Sequence, residues 1–233
     1  MHNAILDMIL PRVCLLCGRE GNADGLCSAC NALILEKRIG SPACTVCGSP
    51  LPNSAGPDHA CGQCITERVP FLCARSALVA EGAVLEAVHR FKYGNEVNLA
   101  GTLGALMCRV ALPQAPHLIV PVPLHVRRLR ERGFNQSLLL ANVVSKALNA
   151  PVDYSNLKRI IDTPHQARLD AEERKRNVRG AFEAARPGAY KGRVVLLVDD
   201  VYTTGATIKE CAAVLKRGGA TVMALTLARA VKV

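Results

Sequence analysis

Two adjacent carboxylates, Asp199 and Asp200, end an apolar run, Val194–Val198, and are followed after two residues by Thr203, Thr204, Gly205, Ala206 and Thr207. An apolar strand running into small, hydroxyl-bearing residues at the start of a helix makes an anion-binding geometry. Free backbone N–H groups and the positive end of the helix dipole converge there. Threonine hydroxyls add donors, and Gly205 lets the backbone approach a phosphate closely. The two acids are badly placed for a phosphate and well placed for sugar hydroxyls or a metal ion. The stretch VVLLVDDVYTTGAT as a whole suits a ribose phosphate; the plain alternative is an ordinary strand–turn–helix crossover with an aspartate cap.

A second chemistry is written in the cysteines. Eight of the 11 form Cys-x-x-Cys pairs: Cys14/Cys17, Cys27/Cys30, Cys44/Cys47 and Cys61/Cys64. A pair at this spacing points two thiolates at one ion, and two pairs complete a tetrahedral zinc site. Redox or iron–sulfur use is the alternative. The halves repeat, CLLCG…LCSAC and CTVCG…ACGQC, so sequential sites are expected over a cross-braced arrangement. The first site then uses Cys14, Cys17, Cys27 and Cys30, and the second Cys44, Cys47, Cys61 and Cys64, each holding one structural zinc ion. Cys73, Cys108 and Cys211 stand alone and read as core packing.

A third patch lies in LIVPVPLHVRRLRERGFNQSLLL, residues 118–140. A strand ending at Val122 is followed by an expected loop with His125, Arg127, Arg128, Arg130 and Arg132. Forked guanidinium donors beside a strand end suit a pyrophosphate; a solvated basic loop is the alternative.

The elements that must position these groups alternate. Strands are expected at Cys73–Ala80, Leu118–Val122, Leu157–Ile161, Val194–Val198 and Thr221–Leu227. Helices are expected at Gly82–Tyr93, across Leu99, Leu103, Leu106, Met107 and Val110, from Gln136 with Leu140, Val143, Val144, Ala147 and Leu148 inward, and after the threonines with Ile208, Cys211, Ala212 and Leu215 inward. Gly94 and Gly218-Gly219 read as stop signals. A short helix over Leu33–Ile39 would connect the two cysteine repeats. Asp162–Leu169 reads as a loop, and Asp170 with Glu173 as a capping box. Nearly all-apolar strands alternating with helices imply an α/β fold with a mostly parallel sheet, whose ligands sit at the carboxyl ends of its strands.

The 233 residues accommodate a small domain plus a medium one. Residues 1–73 are short on apolar periodicity and carry five basic and six acidic residues; the remainder carries 24 and 13 and is strongly positive. The division expected is 1–70 for a double zinc ribbon and 71–233 for the α/β domain. The positive charge goes with the phosphate motif and fits polyanionic ligands. Aromatics are 3% and Trp is absent, which counts against base stacking as the main mode of nucleic-acid binding. No segment has the ~20 apolar residues of a membrane helix. The N-terminus lacks the basic start and cleavage site of a signal peptide. A cytoplasmic protein without membrane insertion is expected.

Val194–Thr207 closely resembles the phosphoribosyl-pyrophosphate (PRPP) motif of type I phosphoribosyltransferases. With Phe91-Lys92-Tyr93-Gly94, Pro-x-Pro-Leu-His, Arg-Gly-Phe-Asn-Gln and Gln166…Arg174…Asn177…Phe182 behind a cysteine-rich N-terminus, the whole chain resembles the ComF family, phosphoribosyltransferase-like proteins associated with DNA uptake in bacteria. The resemblance implies a type I phosphoribosyltransferase-like parallel sheet and PRPP bound with Mg²⁺. It implies transfer of phosphoribosyl to a nitrogen acceptor with loss of pyrophosphate, through an oxocarbenium-like transition state. Thr203–Thr207 would hold the 5-phosphate. Asp199 and Asp200 would take the ribose hydroxyls and help place Mg²⁺ indirectly. His125, Arg127 and Arg128 would lie along the pyrophosphate. Gln166, Arg174-Lys175-Arg176 and Arg179 would form a closing lid, or else an exposed amphipathic helix. Residues 74–115 are the candidate hood for an acceptor, with no base-reading pattern in them. The alternative is a non-catalytic PRPP sensor or single-stranded-DNA-binding competence factor. Further partner expectations are a competence helicase docked on the zinc module and a homodimer.

Overall fold

Aliphatic strands without charge are stable only where both faces are covered. That condition shapes the structure, a computed structural model that describes residues 13–22, 25–52, 56–94, 96–163 and 176–231. In chain order the elements are α1 (Ser28–Leu35), α2 (Gly62–Thr66), β1 (Cys73–Val79), α3 (Ala83–Tyr93), α4 (Leu99–Met107), β2 (Leu118–Pro121), α5 (Val126–Arg132), α6 (Gln136–Leu148), β3 (Leu157–Arg159), β4 (Phe182–Ala184), β5 (Val194–Tyr202), α7 (Ala206–Arg217) and β6 (Thr221–Arg229). Strands β1, β6, β5 and β2 lie side by side in that order, all parallel, and β3 pairs antiparallel with β4. The α/β class and the parallel sheet expected from the sequence are the observed ones.

Period two sorts the strand residues between two cores. Leu196 and Val198 of β5, with Met223 and Leu225 of β6, pack under α3, α4 and α6 through Phe91, Leu103 and Leu140. Val195 and Leu197, with Val222 and Ala224, pack against Ile208, Cys211 and Leu215 of α7. The first cysteine repeat joins the former core: Cys14, Leu16, Leu26, Cys30 and Ile34 are buried in the same cluster as Phe91. Residues 37–39 run antiparallel along the free edge of β1, with Ile39 N donating to Ala77 O at 3.1 Å and Val79 N to Lys37 O at 2.7 Å. The edge of the sheet is therefore covered rather than left as a template for aggregation.

Several boundaries differ from the sequence-based expectation, each for a local reason. The helix expected over Leu33–Ile39 begins earlier, at Ser28, because the Cys27 thiol accepts from Cys30 N at 3.4 Å and caps it. The basic segment expected as a loop is helix α5: His125 Nδ1 caps its start by accepting from Arg127 N at 3.4 Å, and Gly133 ends it in the left-handed region. Arg, Leu and Glu are good helix formers, and Arg127–Glu131 adds an i,i+4 pair at 3.1 Å. Ala147 is exposed and Val110 lies beyond the end of α4. Strand β5 runs through the acidic pair to Tyr202 instead of stopping at Val198. The expected loop over Asp162–Leu169 lies mostly, and the Asp170/Glu173 capping box wholly, outside the described residues. Among the described residues no helix is long and apolar enough to cross a membrane.

Candidate functional site

At the carboxyl ends of β2 and β5 lies a cleft of about 310 Å³. Its walls include Asp199, Asp200, Thr203, Gly205, Ala206 and Thr207 from the β5–α7 connection, Arg128 and Arg132 from α5, Arg159 from β3, and Lys92 and Tyr93 from α3. The turn before α7 is built for close approach. Gly205 has φ +75°, and a β-carbon there would run into the Tyr202 ring and hydroxyl. Helix α7 has no side-chain bond at its Gly205 cap; Thr204 Oγ1 accepts from Ala206 N at 3.4 Å. Thr204 is the one member of the 203–207 set outside the cleft wall.

The acids have partners that make burial tolerable. Asp199 Oδ1 accepts from Ser137 Oγ at 2.8 Å and from Asp200 N at 2.9 Å. Burial, with Asp200 beside it, pushes the Asp199 carboxyl up to about 7. Asp200 is 4% exposed, and its Oδ2 lies 3.0 Å from Lys92 Nζ. Burial alone would lower the Lys92 ammonium, but the facing Asp200 carboxylate prevails and holds it above its ordinary value. Lys92 is thus part of the site, a role the sequence showed only as a motif letter beside a helix stop.

Two further motifs prove to be the scaffold of the same place. Phe91 is fully buried with its ring 6.2 Å from that of Phe134. Tyr93 carries the Arg132 guanidinium over its ring at 5.1 Å. Asn135 caps α6 by accepting from Ser137 N at 3.0 Å, and its Nδ2 donates to Val122 O at 3.1 Å, tying the helix to the end of β2. Gln136 Oε1 accepts from Arg132 at 2.6 Å. Phe-Lys-Tyr-Gly and Arg-Gly-Phe-Asn-Gln therefore meet across the cleft and set the position of Ser137 against Asp199.

The basic set divides. Arg128 lines the cleft, and its Nη2 donates to Thr163 O at 2.7 Å. His125 and Arg127 are not in the cleft wall; they gather on Asp162, with His125 Nδ1 at 3.6 Å and Arg127 Nη1 at 3.4 Å from its carboxylate. Arg159, which sequence reasoning did not single out, enters the wall instead. Burial and the nearby Arg128 lower its pKa, and its Nε is buried without a partner. Only the fold could reveal it, since β3 carries no motif. Of the hood candidates, residues 73–79 are strand β1 and α4 packs on the sheet; α3 alone reaches the cleft, through Leu85, Val88, Lys92 and Tyr93. Gln166, Arg174 and Lys175 lie outside the described residues.

The cysteines form two four-thiol groups, Cys14, Cys17, Cys27, Cys30 and Cys44, Cys47, Cys61, Cys64, each with all sulfurs within 4.8 Å of one another. These are the sequential sites. The Sγ–Sγ separations of 3.7 Å for Cys17/Cys27 and 3.9 Å for Cys47/Cys61 fit a tetrahedron of ~2.3 Å zinc–sulfur bonds, whose edge is about 3.8 Å. Backbone N–H groups support the thiolates: Cys47 N and Cys61 N donate to Cys44 Sγ at 3.4 and 3.3 Å. Burial raises the Cys44 thiol, but these donors prevail and bring it to about 6. Arg19 Nε beside Cys17 likewise brings that thiol down to about 6. The donor set fits two zinc-binding sites. Gly48, at φ +73°, lets the second knuckle lie against β1, where a β-carbon would meet Ala74 O at 2.6 Å.

Residues 5–65 match the double zinc ribbon domain family, and residues 135–230 match the phosphoribosyl transferase domain family. The chain is 34% identical over 224 residues to the DNA utilization protein YhgH of Escherichia coli K12, covering 91% of this chain and 94% of that one. It is 34% identical to competence protein F of Haemophilus influenzae, covering 84% and 86%. It is 26% identical to competence protein ComFC of Bacillus subtilis, covering 98% and 100%.

Proposed function

The chain belongs to the ComF family, and on that premise we propose that its cleft binds PRPP with Mg²⁺ and transfers the phosphoribosyl group to a nitrogen acceptor, releasing pyrophosphate. One observation carries the reading. The phosphate-type turn, the acidic pair and three arginines line a single cleft at the carboxyl ends of parallel strands. The turn at Thr203–Thr207 offers backbone N–H groups and hydroxyls to the 5-phosphate. Asp199 and Asp200 receive the ribose hydroxyls and place Mg²⁺ indirectly. Arg128, with Arg132 and Arg159, meets the pyrophosphate, and the unpartnered Arg159 Nε supplies a donor that needs an anion. Arg127 and His125 act from behind, holding Asp162 beside Arg128.

The chain's own contribution is positioning and charge. Lys92 neutralises Asp200 while the ligand is absent. Arginines stabilise negative charge as it builds on the departing pyrophosphate, so little covalent work falls to the protein. Calorimetry with PRPP and Mg²⁺ tests the reading. Asp200→Asn, which removes a charged acceptor, should weaken binding by about 1.5–3 kcal/mol, tenfold or more. Equal binding by wild type and variant removes the acids from the site.

A specific observation favours a second reading, in which PRPP is sensed and single-stranded DNA is bound. Where the zinc module meets the sheet, a cleft of about 380 Å³ is lined by Arg38, Arg75 and Arg109, suited to a nucleic-acid backbone. Leu33, Ile65 and Leu72 are exposed around the zinc module and offer a helicase a docking face. Salt-sensitive oligonucleotide binding without PRPP turnover supports this reading over transfer.

A further inference from the structure

Arg229, the last residue of β6, is 7% exposed, and a buried guanidinium requires a counter-charge. Among the described residues no carboxylate pairs with it. What it touches is the second zinc site: Nη1 donates to Cys47 O at 2.7 Å, and Nη2 lies 3.5 Å from Cys47 Sγ. Zinc held by four thiolates carries a formal charge of −2, which supplies the missing negative charge. On its other side the guanidinium lies 4.2 Å over the ring of Tyr202, its register partner on β5. That ring fills the space beneath Gly205, the residue that opens the phosphate turn.

A second tether crosses the same junction. Glu67, which ends the helix carrying Cys64, forms an ion pair with Lys209 in the first turn of α7. The second zinc site thus grips both flanks of the turn, Tyr202 before it and Lys209 after it. Among the described residues the first zinc site makes no such contact: it reaches the body through Arg90 Nη1, which donates to Leu15 O at 3.0 Å on the opposite side of the sheet.

We propose that Arg229 is a positioning residue through which the second zinc site shapes the phosphate turn, so that metal at Cys44, Cys47, Cys61 and Cys64 and a ribose phosphate at Thr203–Thr207 favour each other's binding. The inference rests on the cleft being a PRPP site. Without the thiolate centre, Arg229 loses its counter-charge, Tyr202 loses the cation stacked on it, and the turn loses its floor. Linkage is reciprocal, so the ligand must in turn protect the metal.

The test uses the full-length, zinc-loaded chain. The partition of zinc between the chain and a chromogenic chelator is measured at equilibrium with and without PRPP and Mg²⁺, and PRPP binding is measured by calorimetry on the same samples. In wild type, one of the two zinc equivalents should be held about tenfold more tightly when PRPP is present, within the range usual for coupled sites. Arg229→Lys retains the charge but cannot span Cys47 and the Tyr202 ring together; it should lose the protection and bind PRPP about tenfold more weakly, at the scale of the same coupling. Tyr202→Leu leaves the Arg229 contacts to Cys47 in place and should also lose the protection, which a merely structural role for Arg229 does not predict. If wild type binds PRPP yet both equivalents are held equally tightly with and without it, or if both variants keep the protection, the coupling is wrong and the PRPP site stands. If wild type binds no PRPP, the proposed function falls and the coupling with it.

Discussion

Asp199→Asn isolates the energetics of the acidic pair. In the native protein the Asp199 carboxyl is pushed from 3.8 up to about 7, first by burial and then by Asp200. The folded state therefore holds a proton that the unfolded chain has already released. A carboxyl raised in this way contributes stability that is whole below pH 3.8 and is lost as pH rises through the folded value. The rise from 3.8 to about 7 corresponds to about 4 kcal/mol in total. Integrating the native protonation between pH 6 and pH 9 leaves ~1.4 kcal/mol to be lost there. Asparagine keeps the Oδ1 acceptor for Ser137 and for Asp200 N, at 2.8 and 2.9 Å, while removing the titration. Urea unfolding at fixed zinc and without PRPP, at pH 6, 7, 8 and 9, measures the difference. Wild type should lose about 1.4 kcal/mol more than Asp199→Asn across that range, with most of the loss below pH 8. Parallel pH profiles for the two proteins would refute the assignment of a raised, buried carboxyl to this position.

Two other perturbations probe the neighbouring contacts. Lys92→Met strands the Asp200 carboxylate, buried at 5% side-chain exposure, and should cost roughly 3–5 kcal/mol by denaturant unfolding. Adding Asp200→Asn to that chain should recover most of it, and a loss under about 0.5 kcal/mol, the scale of an ordinary surface substitution, contradicts a buried pair. Elemental analysis should find two zinc ions per chain. Because Cys14, Leu16, Leu26, Cys30 and Ile34 share a core with Phe91, stripping zinc should lower the melting temperature of the α/β body as well as that of the ribbons. A body transition that stays in place after chelation argues against the shared core.

Much of the site was legible because its chemistry is local. The turn from Thr203 to Thr207 is built from consecutive residues, so spacing alone marked it as a hydroxyl-rich strand–turn–helix junction. The two zinc sites are pairs of knuckles, and the internal repeat indicated how to combine them. Helix α7 showed its buried stripe of Ile208, Cys211, Ala212 and Leu215 through periodicity alone. The expectations that missed were the ones that depend on neighbours. The basic segment read as a loop because no partner for its arginines was visible, yet His125, Glu131 and Gly133 make it a helix. The sequence ends the strand at Val198 because aspartates disfavour a buried ladder. Ser137, Lys92 and the partnered backbone of β6 allow it to continue.

What the sequence determined by itself is the inventory: a threonine–glycine turn, an acidic pair, two four-cysteine metal sites and an alternating α/β order. These signals are short in range, and their residues need one another at fixed spacing. Tertiary structure decided which groups face the cleft. It brought Lys92 from α3 onto Asp200 and put Arg159 in the wall where His125 and Arg127 had been expected. It also joined Cys47 to Tyr202 through Arg229, residues 182 apart in the chain from cysteine to arginine. No spacing rule encodes such meetings. They follow from how the strands order themselves and from the need of each buried charge for a partner.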